Sequence, residues 1–132
     1  MVTMTPEIIE FVNENLCWVT TISPEGELDL GPKMSMFVLD DSHLAYHERT
    51  GGKVYENLKS GSPLVVACAN LAEKVGYRFR GTVTLHTEGE LFDEQVRLAA
   101  ERGTKAPVCI PVLEITQIDD LTSGANAGKR IA

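Results

Sequence analysis

The apolar runs of this chain are short, and turn-forming residues separate them. Cys17–Ile22 is β-branched and aromatic, and Ser23-Pro24-Glu25-Gly26 follows it as a turn. Residues 27–30 and 34–39 read as two parts of one extended strand, bent at Gly31-Pro32. Asp40-Asp41-Ser42 turns the chain, and residues 44–48 return. Leu64–Asn70 is almost continuously apolar, as a central strand would be. Residues 77–90 alternate, with Tyr77, Phe79, Gly81, Val83 and Leu85 on one face and Arg78, Arg80, Thr82, Thr84 and His86 on the other. Gly81 in mid-strand predicts a bulge, or the close approach of another backbone. Residues 108–118 form the last strand. Strands joined by short turns, with few helices, predict a mainly β fold: a closed or half-closed antiparallel barrel.

The helices are few. Thr5-Pro6-Glu7 gives an N-cap, a proline at the first helical position and an acid in the first turn. Ile8, Ile9, Phe11, Val12 and Leu16 then recur at helical spacing. Residues 54–60 read as a short helix that Gly61 ends, and residues 92–102 as another, with Val96, Leu98 and Ala99 apolar. No repeat, low-complexity block or linker interrupts the chain, so residues 1–132 are read as one domain.

Twelve Lys and Arg against 19 Asp and Glu leave a formal net charge of −7. That argues against general nucleic-acid binding and against attraction to anionic membrane. Thr5-Pro6-Glu7 interrupts the early apolar residues, so no signal peptide is read, and no apolar run is long enough to span a bilayer. Cys17, Cys68 and Cys109 lie far apart in apolar stretches, which reads as buried free thiols in a reducing cytoplasm. Metal binding is not expected, because His43, His47 and His86 fall on different elements without zinc spacing. No nucleophile sits on a strand–turn–helix elbow, and no residue stands out as an acid or base toward a substrate, so none is named as catalytic.

The stretch with most chemistry is residues 46–57. A strand runs into Gly51-Gly52, and Lys53 opens a helical pattern with Asn57 one turn later. Paired glycines let backbone approach an anion, and a helix start presents unpaired N–H groups. The arrangement suits a phosphate, without being the nucleotide P-loop. His47 precedes the turn, facing a ligand or half-buried in its strand. Arg78 and Arg80 share a strand face, as a solvated edge or as lining of a site or dimer contact. Trp18 is expected in the core.

Taken in order, these elements resemble the FMN-binding split β-barrel family related to pyridoxamine 5'-phosphate oxidase. The elements that carry the likeness are the lone Lys33 in Leu30-Gly31-Pro32-Lys33-Met34-Ser35-Met36, then the Gly51-Gly52-Lys53 turn, Gly61-Ser62-Pro63 and Gly76-Tyr77-Arg78-Phe79-Arg80-Gly81. The likeness covers nearly the whole chain. It implies a homodimer with FMN bound non-covalently at the subunit interface, and electron or hydride transfer as the reaction class. It places Lys33 and Lys53 on the flavin phosphate. Thr50, Gly51 and Gly52 would donate hydrogen bonds, Met34, Ser35 and Met36 would face the ring, and Asn57 would hold the turn or reach the ribityl chain. Gly52 stands where the larger enzymes carry an Arg, so the grip is either weaker or completed by another group. Pyridoxamine phosphate oxidation is not expected, because the chain lacks a C-terminal extension rich in Arg and His. Alternatives are an electron carrier, a deazaflavin (F420) protein and a haem-binding barrel with His43 or His86 as ligand. The tail, residues 124–130, looks frayed by composition, yet its small residues and two cations predict that it folds over a partner subunit's flavin site.

Overall fold

The protein is described here by a computed structural model covering residues 2–132. Helix α1 (Pro6–Glu14) begins as its sequence predicts: the Thr5 hydroxyl accepts from Ile8 N at 3.3 Å, and Ile8, Phe11 and Val12 turn inward. Strands β1 (Cys17–Ile22), β2 (Leu28–Lys33), β3 (Phe37–Asp40) and β4 (His43–Ala45) lead to the short helix α2 (Lys53–Lys59). Strands β5 (Leu64–Asn70) and β6 (Val75–His86) lead to helix α3 (Glu90–Arg102), and β7 (Ile110–Asp120) and β8 (Lys129–Arg130) close the chain. The strands form one sheet in the order β2-β1-β5-β6-β7-β4-β3, with β8 added on β7 and every pairing antiparallel. The expected mainly β fold is what the chain adopts, and β5 lies inside the sheet, between β1 and β6.

One expected bend is misplaced. Strand β2 runs straight through Gly31 and Pro32, which pair with Val19 and Trp18. A proline is tolerated there because β2 is an edge strand. The break comes at residues 34–36, where Met36 N donates to Lys33 O at 3.2 Å. Strand β3 then starts at the opposite end of the strand order. A three-residue corner thus joins the two ends of the sheet, which must curl to bring them there. Inside the curl Val19, Val66, Phe79, Leu113, Ile115 and Ile118 pack with α1.

Period-two alternation also moves Trp18. Cys17, Val19 and Thr21 are buried, so Trp18 points outward and is 42% exposed, not a core residue. Arg78 and Arg80 do not lie on an edge strand, since β6 sits between β5 and β7; both converge on Asp119, which is only 2% exposed. All three cysteines are free and buried, and Cys17 lies directly opposite Cys68 across the β1–β5 ladder.

The tail is not frayed. Lys129 and Arg130 pair with Asp120 and Asp119 of their own chain, and Ile131 N donates to Ile118 O at 2.8 Å. The unpaired side of β7 beyond β4 offers backbone partners, and backbone pairing decides where the end goes. Among the described residues, no helix is long and apolar enough to cross a membrane.

Candidate functional site

Strand β4 and the residues after it divide their side chains between two sides. Leu44 and Tyr46 pack into the main core, whereas Ala45 joins Ile110, Val112, Phe37, Leu91 and Phe92 in a second cluster under α3. The backbone of Glu48 bridges to β7's approach, with Glu48 N donating to Cys109 O and Val108 N donating to Glu48 O. That keeps the alternation going to residue 49. The nominated site residues are therefore split between the barrel interior and the α3 side.

On the interior side, three of the residues nominated for a phosphate, Lys33, Thr50 and Gly51, gather around an acid. Glu48 is 1% exposed. Its Oε1 accepts from Lys33 Nζ at 3.2 Å, and its Oε2 accepts from Thr50 N, Thr50 Oγ1 and Gly51 N at 3.2, 3.2 and 3.1 Å. The Lys33 ammonium also lies 5.1 Å from the centre of the Tyr46 ring. A buried carboxylate is tolerated only when paired and hydrogen-bonded, and these four donors do that. Burial, and after it the charge of Glu48, pushes the Tyr46 phenol far above its ordinary range.

On the other side, the corner at residues 34–36 forms one wall of a pocket of about 320 Å³, with Phe37, His47, Arg49 and three residues of α3 (Gln95, Leu98, Arg102) around it. Ser35 pins the corner to the end of β4: its hydroxyl accepts from His47 N at 3.0 Å and donates to His47 O at 3.3 Å. The His47 ring stands edge-on to Phe37, and its Nε2 meets Gln95 Oε1 at 2.9 Å. With that oxygen as acceptor, Nε2 carries the hydrogen. His47 Nδ1 and Arg49 Nε are buried with no hydrogen-bond partner.

The structure thus gathers Lys33, Thr50 and Gly51 around Glu48, and Met34, Ser35, Met36 and His47 around the pocket. Gly52 caps the start of α2, and Lys53 is exposed beside it with no ion-pair partner among the described residues. Asn57 stands apart: it is 2% exposed and donates from Nδ2 to Thr21 Oγ1 at 3.0 Å, tying α2 to β1. Sequence reasoning passed over Glu48, Arg49, Gln95 and Arg102. Signals for three of them existed. Arg49 follows His47 by two, and so shares its side of an extended segment. Gln95 lies one turn from both Leu91 and Ala99 on the apolar face of α3, and Arg102 follows it by two turns.

The profile of the pyridoxamine 5'-phosphate oxidase family matches residues 4–120. The chain belongs to that family. Among solved structures it is similar to HupZ of Group A Streptococcus, at 32% identity and a TM-score of 0.86, covering 95% of this chain and 99% of that one. A candidate pyridoxamine 5'-phosphate oxidase of Lactobacillus delbrueckii is 32% identical with a TM-score of 0.75, over 88% of this chain and 93% of that one. An FMN-binding protein from Syntrophomonas wolfei shares the fold, at 21% identity and a TM-score of 0.68 over 90% and 89% of the two chains. The curled sheet with its open corner is the split β-barrel of this family.

Proposed function

We propose that this chain binds FMN non-covalently at the corner between β2 and β3, and that it works as a flavin-dependent oxidoreductase. One observation carries the reading. The corner pocket has an apolar wall of Met36, Phe37 and Leu98, and one of its lining residues, His47, keeps a buried Nδ1 without a hydrogen-bond partner. A buried polar atom without a partner costs free energy, and a flat heteroaromatic ring with its own donors and acceptors would satisfy it. The residues present therefore fit a flavin. Family membership and the FMN-binding fold neighbour support the same choice. When bound, FMN supplies hydride or electron transfer, and the protein supplies binding and orientation. The thioethers of Met34 and Met36 would pack against the ring and exclude water. Lys53, which has no ion-pair partner among the described residues, would meet the phosphate with the Gly52 turn. Lys33 would not, because Glu48 already holds it.

The test is flavin titration with an absorbance spectrum of the purified protein. A two-banded flavin spectrum is expected, in place of the single band of a deazaflavin or a haem Soret band. A charge-assisted contact contributes about 1.5–3 kcal/mol, so Lys53→Ala is expected to weaken FMN roughly tenfold or more while riboflavin binding stays the same. A protein that takes up no FMN, or a variant that binds it as well as the parent, would sink the assignment.

We also propose a homodimer, covering the outer face of β2, β1 and β5. The ladder places Leu28, Leu30 and Pro32 beside Ile22, Thr20 and Trp18, and these beside Val65 and Ala67. Leu28 and Leu30 are 72% and 68% exposed. The open face of an antiparallel sheet is normally polar, and a contiguous apolar one marks an interface. A twofold-related copy offers the same apolar face in return. Sedimentation equilibrium at micromolar concentration is expected to report twice the 14.4 kDa chain mass. Leu30→Asp is expected to give monomers. A parent chain that sediments as a monomer would end the proposal.

A further inference from the structure

Six arginines are distributed over the chain, and four of them have acceptors. Arg78 and Arg80 share Asp119, Arg97 bridges Glu94 and Glu101, and Arg130 donates to the carbonyls of Ala132 and Thr116. Among the described residues the remaining two, Arg49 and Arg102, have none, and Arg49 Nε is buried. Both line the same corner pocket, one from the end of β4 and one from the last turn of α3. A chain with 19 acids has carboxylates to spare, yet none lines this pocket. Arg102 is exposed and Arg49 half-buried, so water screens part of the repulsion between these like charges, and an anion seated between them would relieve the rest.

We propose that Arg49 and Arg102 hold the oxyanion group of the substrate, a small organic carboxylate or phosphate ester, in this pocket. Only the word substrate rests on the FMN reading; the anion site stands on the two arginines. Guanidinium groups match carboxylate and phosphate oxygens in forked pairs, which makes them selective for oxyanions. The acceptor that would repel an oxyanion, Gln95 Oε1, is already engaged by His47 Nε2 at 2.9 Å. Phe37, Met36 and Leu98 are the wall for the flavin ring, so the organic body of the substrate would lie against that ring, with its oxyanion toward the two arginines. A volume of about 320 Å³ lies at the small end of ligand pockets, and the flavin ring takes part of it, so the substrate is small and not a dinucleotide.

The experiment is calorimetric titration of benzoate, and separately of inorganic phosphate, into the full chain at low ionic strength, with and without added FMN. Saturable binding of at least one probe is expected. Arg49→Gln and Arg102→Gln should each weaken it tenfold or more. Arg97→Gln, which removes the same charge from the same helix outside the pocket, should leave it within about twofold. Tighter binding of phosphate than of benzoate identifies a phosphate ester as the substrate class, and the reverse identifies a carboxylate. Absence of saturable binding by both probes overturns the proposal, as does an equal loss from Arg97→Gln. It is also overturned if Arg49→Gln and Arg102→Gln weaken FMN but not riboflavin, because the arginines then serve the flavin phosphate. A chain that takes up no flavin but binds benzoate through both arginines keeps the anion site, and the flavin reading alone fails.

Discussion

Gly81→Ala is expected to lower stability by roughly 3 kcal/mol or more, an effect at the severe end for a single methyl group. The register of the β6–β7 ladder shifts between Arg80 and Gly81, and there the Glu114 carbonyl is pushed against Gly81. A Cβ built on Gly81 would lie 1.8 Å from Glu114 O and 2.8 Å from its carbonyl carbon. Both are backbone atoms inside a strand, so no rotamer change relieves the clash. The bulge must open, and that breaks pairing in the ladder that joins the two halves of the sheet. Urea denaturation measures this as a lower midpoint at unchanged slope. A purified Gly81→Ala protein within about 1 kcal/mol of the parent would show that the strands do not approach this closely.

Glu48→Ala is the second large effect, expected to cost about 3 kcal/mol, because removing one partner of a buried ion pair leaves the other uncompensated. Lys33 would keep its charge near Tyr46 without a counter-ion, and Thr50 N, Thr50 Oγ1 and Gly51 N would lose their acceptor. Glu48→Gln should lose less, since an amide oxygen can still accept from the turn. The ordering parent, Gln, Ala in denaturation midpoint is the expected result. Equal stability of parent and Ala variant would mean that the carboxylate does not organise this turn.

These two residues were unequally legible in the sequence. Gly81 could be read, because a glycine inside an alternating strand has few other uses, and both consequences named for it, a bulge and a close backbone approach, occur at that position. Glu48 could not. In the sequence it is one more charged residue before a glycine turn, and only the fold shows that its side chain points inward at Lys33, fifteen residues away. The same holds for Arg102, which is brought to Arg49 and His47 by α3 packing over the second cluster.

Local chemistry determined the elements by itself. The Thr5 cap, the glycine after α2, the alternation along β6 and the apolar run of β5 all act within a few residues, and a reader of the sequence sees those residues together. The tertiary structure alone decided how the elements meet. It put the break of the second strand at residues 34–36, sent the tail back along β7, turned Trp18 outward and set the turn at Thr50 and Gly51 around a carboxylate. The physical reason is that each of these outcomes depends on strand register and sheet closure. A shift of one residue in pairing reverses every side chain of a strand, so which polar groups become partners is set by contacts between segments far apart in the chain.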